Sequence, residues 1–357
     1  MMYEFRDAGP VDLGEWRDRA LAFETALAGA VVGQDATIRL VTLAVFCRGH
    51  VLLQGDVGVG KTTLLRAVAR LVGGPYERIE GTVDLMPTDL VYAAFVAEDG
   101  RPRMEPGPML RHGADLAVFF FNEINRARPQ VHALLLRAMA ERTLTAFQRE
   151  WSFPHLQVFA DRNRVEREET FELPAAARDR FFMEIPVDAP ADPEVRRRLV
   201  FDNRFHDADA LVAALPEGLL DYRRLDGVAR AIQREVHAGD EIEAYVFALW
   251  EALKHPADAG IELNGVAMDR LVQGGASPRG VSTLVRAARA RAFIEGRDFV
   301  IPDDLRAVFP AVMAHRVFLA PVYERRREAL VPALCDAVFA KVPTPRAPAA
   351  AQRGARL

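Results

Sequence analysis

Lysine is almost missing from this chain. Of 46 basic residues, only Lys61, Lys254 and Lys341 are lysines, and the remainder are arginines. The scarcity makes a well-placed lysine informative. Cysteine is nearly absent too: Cys47 and Cys335 are the pair present in 357 residues. That excludes a disulfide framework and a CxxC metal site, and a reducing compartment is expected. No apolar run reaches the about 18 residues of a membrane-crossing helix. The opening MMYEFRDAGPVDLGEW lacks the basic-then-apolar pattern of a secretory leader. A cytoplasmic protein with no membrane insertion is the expectation. Strong charge of either sign is also lacking. The net charge of −4 gives little steering towards nucleic acid or anionic lipid.

What is present has the profile of a soluble globular protein: 50% hydrophobic and 27% charged residues. The length points to about two domains. Residues 1–30 hold one amphipathic stretch, LGEWRDRALAFETALAGA, that reads as a helix. HVLLQ, YERIEG, LAVFFF, HLQVFAD and RFFMEIPV read as short strands, and helical stretches such as KTTLLRAVARLV and PQVHALLLRAMAERTL alternate with several of them. That alternation implies a parallel sheet covered on both faces. PVDAPADPE reads as a linker. Beyond it EVRRRLVF, LLDYRRLDGVARAIQREV, DEIEAYVFALWEALK and STLVRAARARAFIEG carry helical spacing, so a smaller all-helical domain is expected up to about residue 342. The tail from 343 to 357, rich in Pro, Ala and Arg, reads as disordered. No internal repeat is evident.

GDVGVGKT, Gly55 to Thr62, fits G-x-x-x-x-G-K-[ST] and sits between a strand and a helix. Glycines let the backbone curl so that its N–H groups point at phosphate oxygens. The helix opening at Lys61 offers its positive end to the same anion. Lys61 can neutralise the β and γ phosphates, and Thr62 can ligate Mg2+. The rival is a glycine-rich turn with a chance lysine, which the scarcity of lysine argues against. A dinucleotide fingerprint fails, because Thr63 stands where its third glycine is required.

The apolar run LAVFFF ends in Asn122-Glu123. Glu123 is a candidate base that would orient or deprotonate a water attacking the γ phosphate. Asn122 stands where an aspartate would hold the water shell of magnesium. It keeps an oxygen acceptor and loses a charge, which typically costs about 10–100-fold in metal affinity or activity. Slower hydrolysis or a raised magnesium requirement is expected, with nucleotide binding kept. The alternative is that both residues merely cap the next helix.

VVGQDATIRL, GHVLLQGDVGVGKT, VDLMPTDL, EPGPMLR, FNEINRARPQVHALLLRAMAER, LPAAARDRF, GASPRG and EGRDFVIPDDLRAV occur in collinear order between about residues 31 and 317. Together they resemble the MoxR-type AAA+ ATPases. The resemblance implies an α/β fold: an AAA+ P-loop core over 31–188, with a parallel sheet sandwiched by helices, and a small all-α lid over 189–342. It implies ATP and Mg2+ as ligands and a ring-forming homo-oligomer, commonly a hexamer. It also implies chaperone-like maturation work, often with a von Willebrand factor A-domain partner and a metalloenzyme client. By position, Val32 and Gly33 would lie near the adenine. Gly55, Asp56, Val57, Gly58, Val59, Gly60, Lys61, Thr62 and Thr63 would hold phosphates. Asn122, acting through water, and Glu123 occupy the second Walker motif. Asn163 matches the first sensor, Arg180 the finger that reaches a neighbouring subunit, and Arg279 the second sensor. Arg178 stands two residues before Arg180 and could share or take that role.

Three features depart from the family pattern: Asn122 itself, the charged surroundings of Asn163 in ADRNR, and a longer stretch from about 255 to 272. AAFVAEDGRPRMEPGP reads as a hairpin turning at Asp99-Gly100, with Phe95 and Met104 as candidate client contacts. Two functions compete, an ATP-driven remodeller and a nucleotide-gated scaffold with little turnover. A nucleic-acid motor is disfavoured by net acidity, although RAARARAF is rich in arginine.

Overall fold

The computed structural model describes residues 11–96, 99–163 and 171–345. Residues 1–10, part of the 97–100 hairpin turn and the expected tail beyond 345 lie outside the described residues. In chain order, α1 (Leu13–Ala30) and α2 (Asp35–Phe46) precede β1 (Val51–Gln54). The glycine turn leads into α3 (Lys61–Val72), β2 (Tyr76–Glu80) and a short α4 (Pro87–Val91). A hairpin of β3 (Tyr92–Val96) and β4 (Pro102–Pro106) follows, then β5 (Val118–Asn122) and α5 (Pro129–Glu141). A second hairpin, β6 (Thr143–Ala146) with β7 (Arg149–Ser152), precedes β8 (Gln157–Arg162), α6 (Ala175–Arg178) and β9 (Met183–Pro186).

Five strands form one sheet in the order β2-β5-β8-β1-β9, parallel at every pairing. The reason is in the strand sequences. Val118 to Phe121 is a continuous apolar run, and both sheet faces are covered, so every side chain of β5 is buried. Phe120 and Phe159 join the core on one face, while Phe119, Phe121 and Ala160 join that on the other. Strand alternation therefore puts Asn122 and Asp161 on the Phe120 face, the face covered by Leu64 and Val68 of α3.

Register completes the placement. Leu53 pairs with Asp161, Phe121 with Ala160 and Glu80 with Asn122. Glu80, Asn122 and Asp161 thus arrive level with one another at the carboxyl edge, where the glycine turn also begins.

The helix α1 buries Trp16, Ala20, Phe23, Leu27 and Ala30, a three-and-four spacing along one stripe. Trp16 meets Phe46 of α2 edge-on, with ring centroids 6.4 Å apart. Its stripe belongs to the same core as residues of the later helices.

Beyond β9 come α7 (Pro193–Phe201), α8 (Ala208–Ala213), α9 (Leu225–Glu235) and α10 (Asp240–Lys254). They are followed by β10 (Val272–Gly274), α11 (Pro278–Ile294), α12 (Pro302–Met313), β11 (Phe318–Leu319), α13 (Pro321–Glu324) and α14 (Arg327–Lys341). The second domain is helical apart from one short ribbon, in which β10 and β11 pair antiparallel. Strands this short leave no alternation to read. The long 255–272 stretch is closed by backbone bonds such as Ile261 N to Pro256 O at 2.9 Å. The Tyr323 hydroxyl pins it further by accepting from Ala267 N at 2.8 Å.

Candidate phosphate site and its arginine neighbours

The glycine turn follows β1 and closes on the first turn of α3. Gly60 caps that helix at φ 88, and Gly58 stands at φ 81. Both values lie in the left-handed region that side chains other than glycine rarely adopt. Gly55 is needed for a different reason. A Cβ there would sit 2.1 Å from the Val187 carbonyl oxygen, so the turn passes directly against the end of β9. Asp56 and Val57 are exposed at the tip, Val59 and Gly60 half-buried, and Thr62 and Thr63 half-buried in the first turn of α3. Val32 and Gly33 lie beside the segment after β9, where a Cβ on Gly33 would meet Val195 at 2.7 Å. Val31 comes within 3.9 Å of the Cβ position at Gly60, so this segment borders the turn.

Lys61 is 7% exposed. Its ammonium donates to Gly55 O at 2.6 Å, Asp56 O at 3.1 Å and Asn163 Oδ1 at 2.6 Å. Asn163 in turn donates to Glu123 Oε1 at 3.1 Å, and the other Glu123 oxygen accepts from Arg126 at 2.9 Å. Glu123 breaks out of β5 at φ 51, which turns its side chain away from the strand's alternation. Residues from three separate strand ends therefore meet in one hydrogen-bonded line, Lys61 to Asn163 to Glu123. The order β5-β8-β1 makes this possible, because β8 lies between the other two.

Asn122 is buried and donates its amide N–H to Glu80 Oε1 on β2. Sequence reasoning had no place for Glu80, nor for Asp161. The latter is 2% exposed, accepts from Glu123 N at 2.6 Å and stands 3.8 Å from the Lys61 ammonium. Burial pushes its pKa up, against the pull of the Glu123 N–H and of Lys61. A lone carboxylate ending a buried apolar strand, two residues before Asn163, was the signal available.

Asp179, between Arg178 and Arg180, ties their segment to the start of the helix that carries Arg279. Its carboxylate accepts from Arg316 Nε at 2.9 Å and from Ser277 Oγ at 3.5 Å. Ser277 caps α11, the helix that begins with Pro278 and Arg279. Arg279 is exposed, and Arg180 is half-buried with Nη1 donating to Ala176 O at 2.8 Å. Arg178 packs inward, its guanidinium 5.3 Å from the centre of the Phe318 ring, and burial lowers its pKa.

A parallel sheet with a phosphate cradle after one strand, an acid after a second, an amide between them and a helical lid define a P-loop ATPase of the AAA class. The ATPase family associated with various cellular activities (AAA) matches residues 50–183, and the AAA lid domain matches 267–334. The chain is 68% identical over 337 residues to Protein MoxR of Methylorubrum extorquens, covering 94% of this chain and 98% of that one. It is 33% identical over 328 residues to Chaperone MoxR1 of Mycobacterium tuberculosis, covering 91% and 82%. A crystal structure from Cytophaga hutchinsonii superposes with a TM-score of 0.75 at 26% identity, over 94% of this chain and 99% of that one. The chain belongs to the MoxR-type AAA+ ATPases.

Proposed function

We propose that this chain is an ATP-hydrolysing, chaperone-like remodelling factor that works as a ring-shaped homo-oligomer, hexameric on the family resemblance. The observation that carries the reading is the hydrogen-bonded line from Lys61 through Asn163 to Glu123. A scaffold that only held nucleotide would have no need to tie the phosphate lysine to a positioned base.

In this reading the turn from Gly55 to Thr63 grips the triphosphate with backbone N–H groups and Lys61, with Val32 and Gly33 beside the adenine. Glu123, oriented by Asn163 and Arg126, takes a proton from the attacking water. Arg180, two residues after α6, would serve as the finger towards a neighbouring subunit, and Arg279 would sense the γ phosphate from the lid. The hard oxygen donors gathered at the carboxyl edge suit magnesium. Thr62 would hold it directly and Asn122 through water, and it would neutralise charge on the β and γ phosphates. Asn122 spends its amide N–H on Glu80 and offers that shell an oxygen without a charge. This favours slow turnover, and at the limit the alternative of a nucleotide-gated scaffold.

The exposed hairpin supports a client surface. Phe95 and Met104 are 42% and 56% exposed, and their cross-strand partners put them on opposite faces of the ribbon. The resemblance adds a von Willebrand factor A-domain partner and a metalloenzyme client. Among the described residues no helix is long and apolar enough to cross a membrane. Cys47 and Cys335 are both buried thiols, which supports a reducing, cytoplasmic setting.

Phosphate release by the assembled protein, compared with the Glu123→Gln variant, tests the reading. A large drop in the variant is expected. Equal release by both would replace the remodeller with the scaffold.

A further inference from the structure

The amide at 122 leaves the sheet edge short of one charge, and the tertiary structure shows a carboxylate one strand away. Asp161 lies on the same sheet face as Asn122 and at the same level along the edge. It stands between the two groups that matter to a bound nucleotide. Its Oδ1 accepts the Glu123 N–H at 2.6 Å, and its Oδ2 lies 3.8 Å from the Lys61 ammonium.

Two observations show why the charge sits on β8 and not on β5. Glu80 is hydrogen-bonded to the Asn122 amide. An aspartate at 122 would face that carboxylate with like charge, whereas an amide donates to it. At position 161 the neighbours are a backbone N–H and an ammonium, both of which favour an anion. Asp161 is nonetheless under-compensated. It is 2% exposed, and Lys61 at 3.8 Å directs hydrogen bonds to Gly55 O, Asp56 O and Asn163. A buried carboxylate with so distant an ion-pair partner carries a desolvation cost that a divalent cation would offset.

We propose that Asp161 gives the water shell of the magnesium ion held with the nucleotide the carboxylate that residue 122 lacks. The proposal rests on the reading that the Gly55–Thr63 turn takes a magnesium nucleotide. It makes Asn122 and Asp161 a relocated pair: the charge moved across one strand while the oxygen-rich edge was kept.

The test is calorimetry of ATP binding, with EDTA and with magnesium, together with electron paramagnetic resonance of Mn2+ in the ATP complex. The full-length wild type is compared with Asp161→Asn and with Asp161→Asn combined with Asn122→Asp. In EDTA, Asp161→Asn should bind ATP as well as wild type or more tightly, because a negative charge beside the triphosphate is gone. Its ATP complex should hold Mn2+ about 10–100-fold more weakly. Restoring a carboxylate at 122 should recover part of that loss. Mn2+ affinity within twofold of wild type in Asp161→Asn would overturn the proposal. Should that variant fail to fold, Asp161→Ser, which can still accept the Glu123 N–H, gives the same comparison. If wild type binds no ATP in either buffer, the reading of the turn falls first, a result distinct from normal ATP binding with unchanged metal affinity.

Discussion

Arg316 is 1% exposed and holds the Asp179 carboxylate at 2.9 Å from its Nε. The same guanidinium donates to Phe181 O at 2.7 Å and to Asp179 O at 3.1 Å. A lid residue thus fixes the short segment between Arg178 and Arg180, and Ser277 at the head of α11 closes on the same carboxylate. Replacing Arg316 by Met would strand Asp179 and several carbonyl oxygens. A loss of about 3–5 kcal/mol is expected from breaking a buried pair on one side. Urea unfolding measures it, and a change under 1 kcal/mol, roughly the worth of an exposed pair, would show that this latch contributes little.

Arg178 and Arg180 should separate by phenotype. Arg180→Ala is expected to leave the melting temperature within a degree or two while ATP turnover in the assembled protein falls by about 10³-fold or more. Arg178→Ala should lower the melting temperature instead, through lost packing on Phe318. Thermal melts paired with phosphate-release assays on both variants decide it. The reverse pattern would reassign the finger to Arg178.

Asn163→Ala unties Glu123 from Lys61. Turnover should drop by about 10²-fold, within the range contributed by a positioned base, with ATP affinity changed much less. Calorimetry and steady-state kinetics on one preparation give both numbers. Loss of binding with unchanged turnover per bound nucleotide would make Asn163 a binding residue only.

Gly55→Ala should abolish nucleotide binding or folding, since the added methyl would overlap the Val187 carbonyl oxygen at 2.1 Å. Gly58→Ala meets no atom within 4 Å among the described residues, and its cost is backbone strain at φ 81, about 1–2 kcal/mol. The two should differ clearly in soluble yield and in melting temperature. Equal behaviour would mean that the turn moves away from β9 with little resistance.

Acid should destabilise the fold from about pH 6.5 downward, through two buried histidines. His50 is buried with Nδ1 accepting from Val158 N at 2.9 Å and Nε2 near Met139 O at 3.2 Å. Burial, helped by Arg142, pulls its pKa down to about 3. His315 is driven well below its ordinary value by burial and by Arg316. Both rings stay neutral in the folded chain, while in the unfolded chain they take up protons below about pH 6.5. The unfolded state therefore binds more protons, and stability falls as pH drops through 6.5, by up to about 1.4 kcal/mol per pH unit for each ring. Urea unfolding at pH 7.5 and 5.5 checks the slope, and a flat profile would contradict the buried neutral state.

The order of elements in the core could be read from residue types alone. β5 announced itself as an uninterrupted apolar run, and the cradle by its glycines and the lysine after them. The β6–β7 hairpin could not be read. Its turn puts Phe147 and Gln148 at φ 53 and 58, a conformation that Asn-Gly would have advertised. The β10–β11 ribbon escaped because two or three residues carry no period.

The chain's own residue order determined the phosphate turn, the strands that carry the site, and the presence of Asn122, Glu123 and Asn163. Those are local matters of backbone freedom, burial pattern and side-chain chemistry. Only the tertiary structure decided that β8 lies between β1 and β5, that Glu80 faces Asn122, and that Asp161 stands beside Lys61. Sheet order and register are set by packing among strands far apart in the chain, and no local pattern encodes which strand becomes whose neighbour.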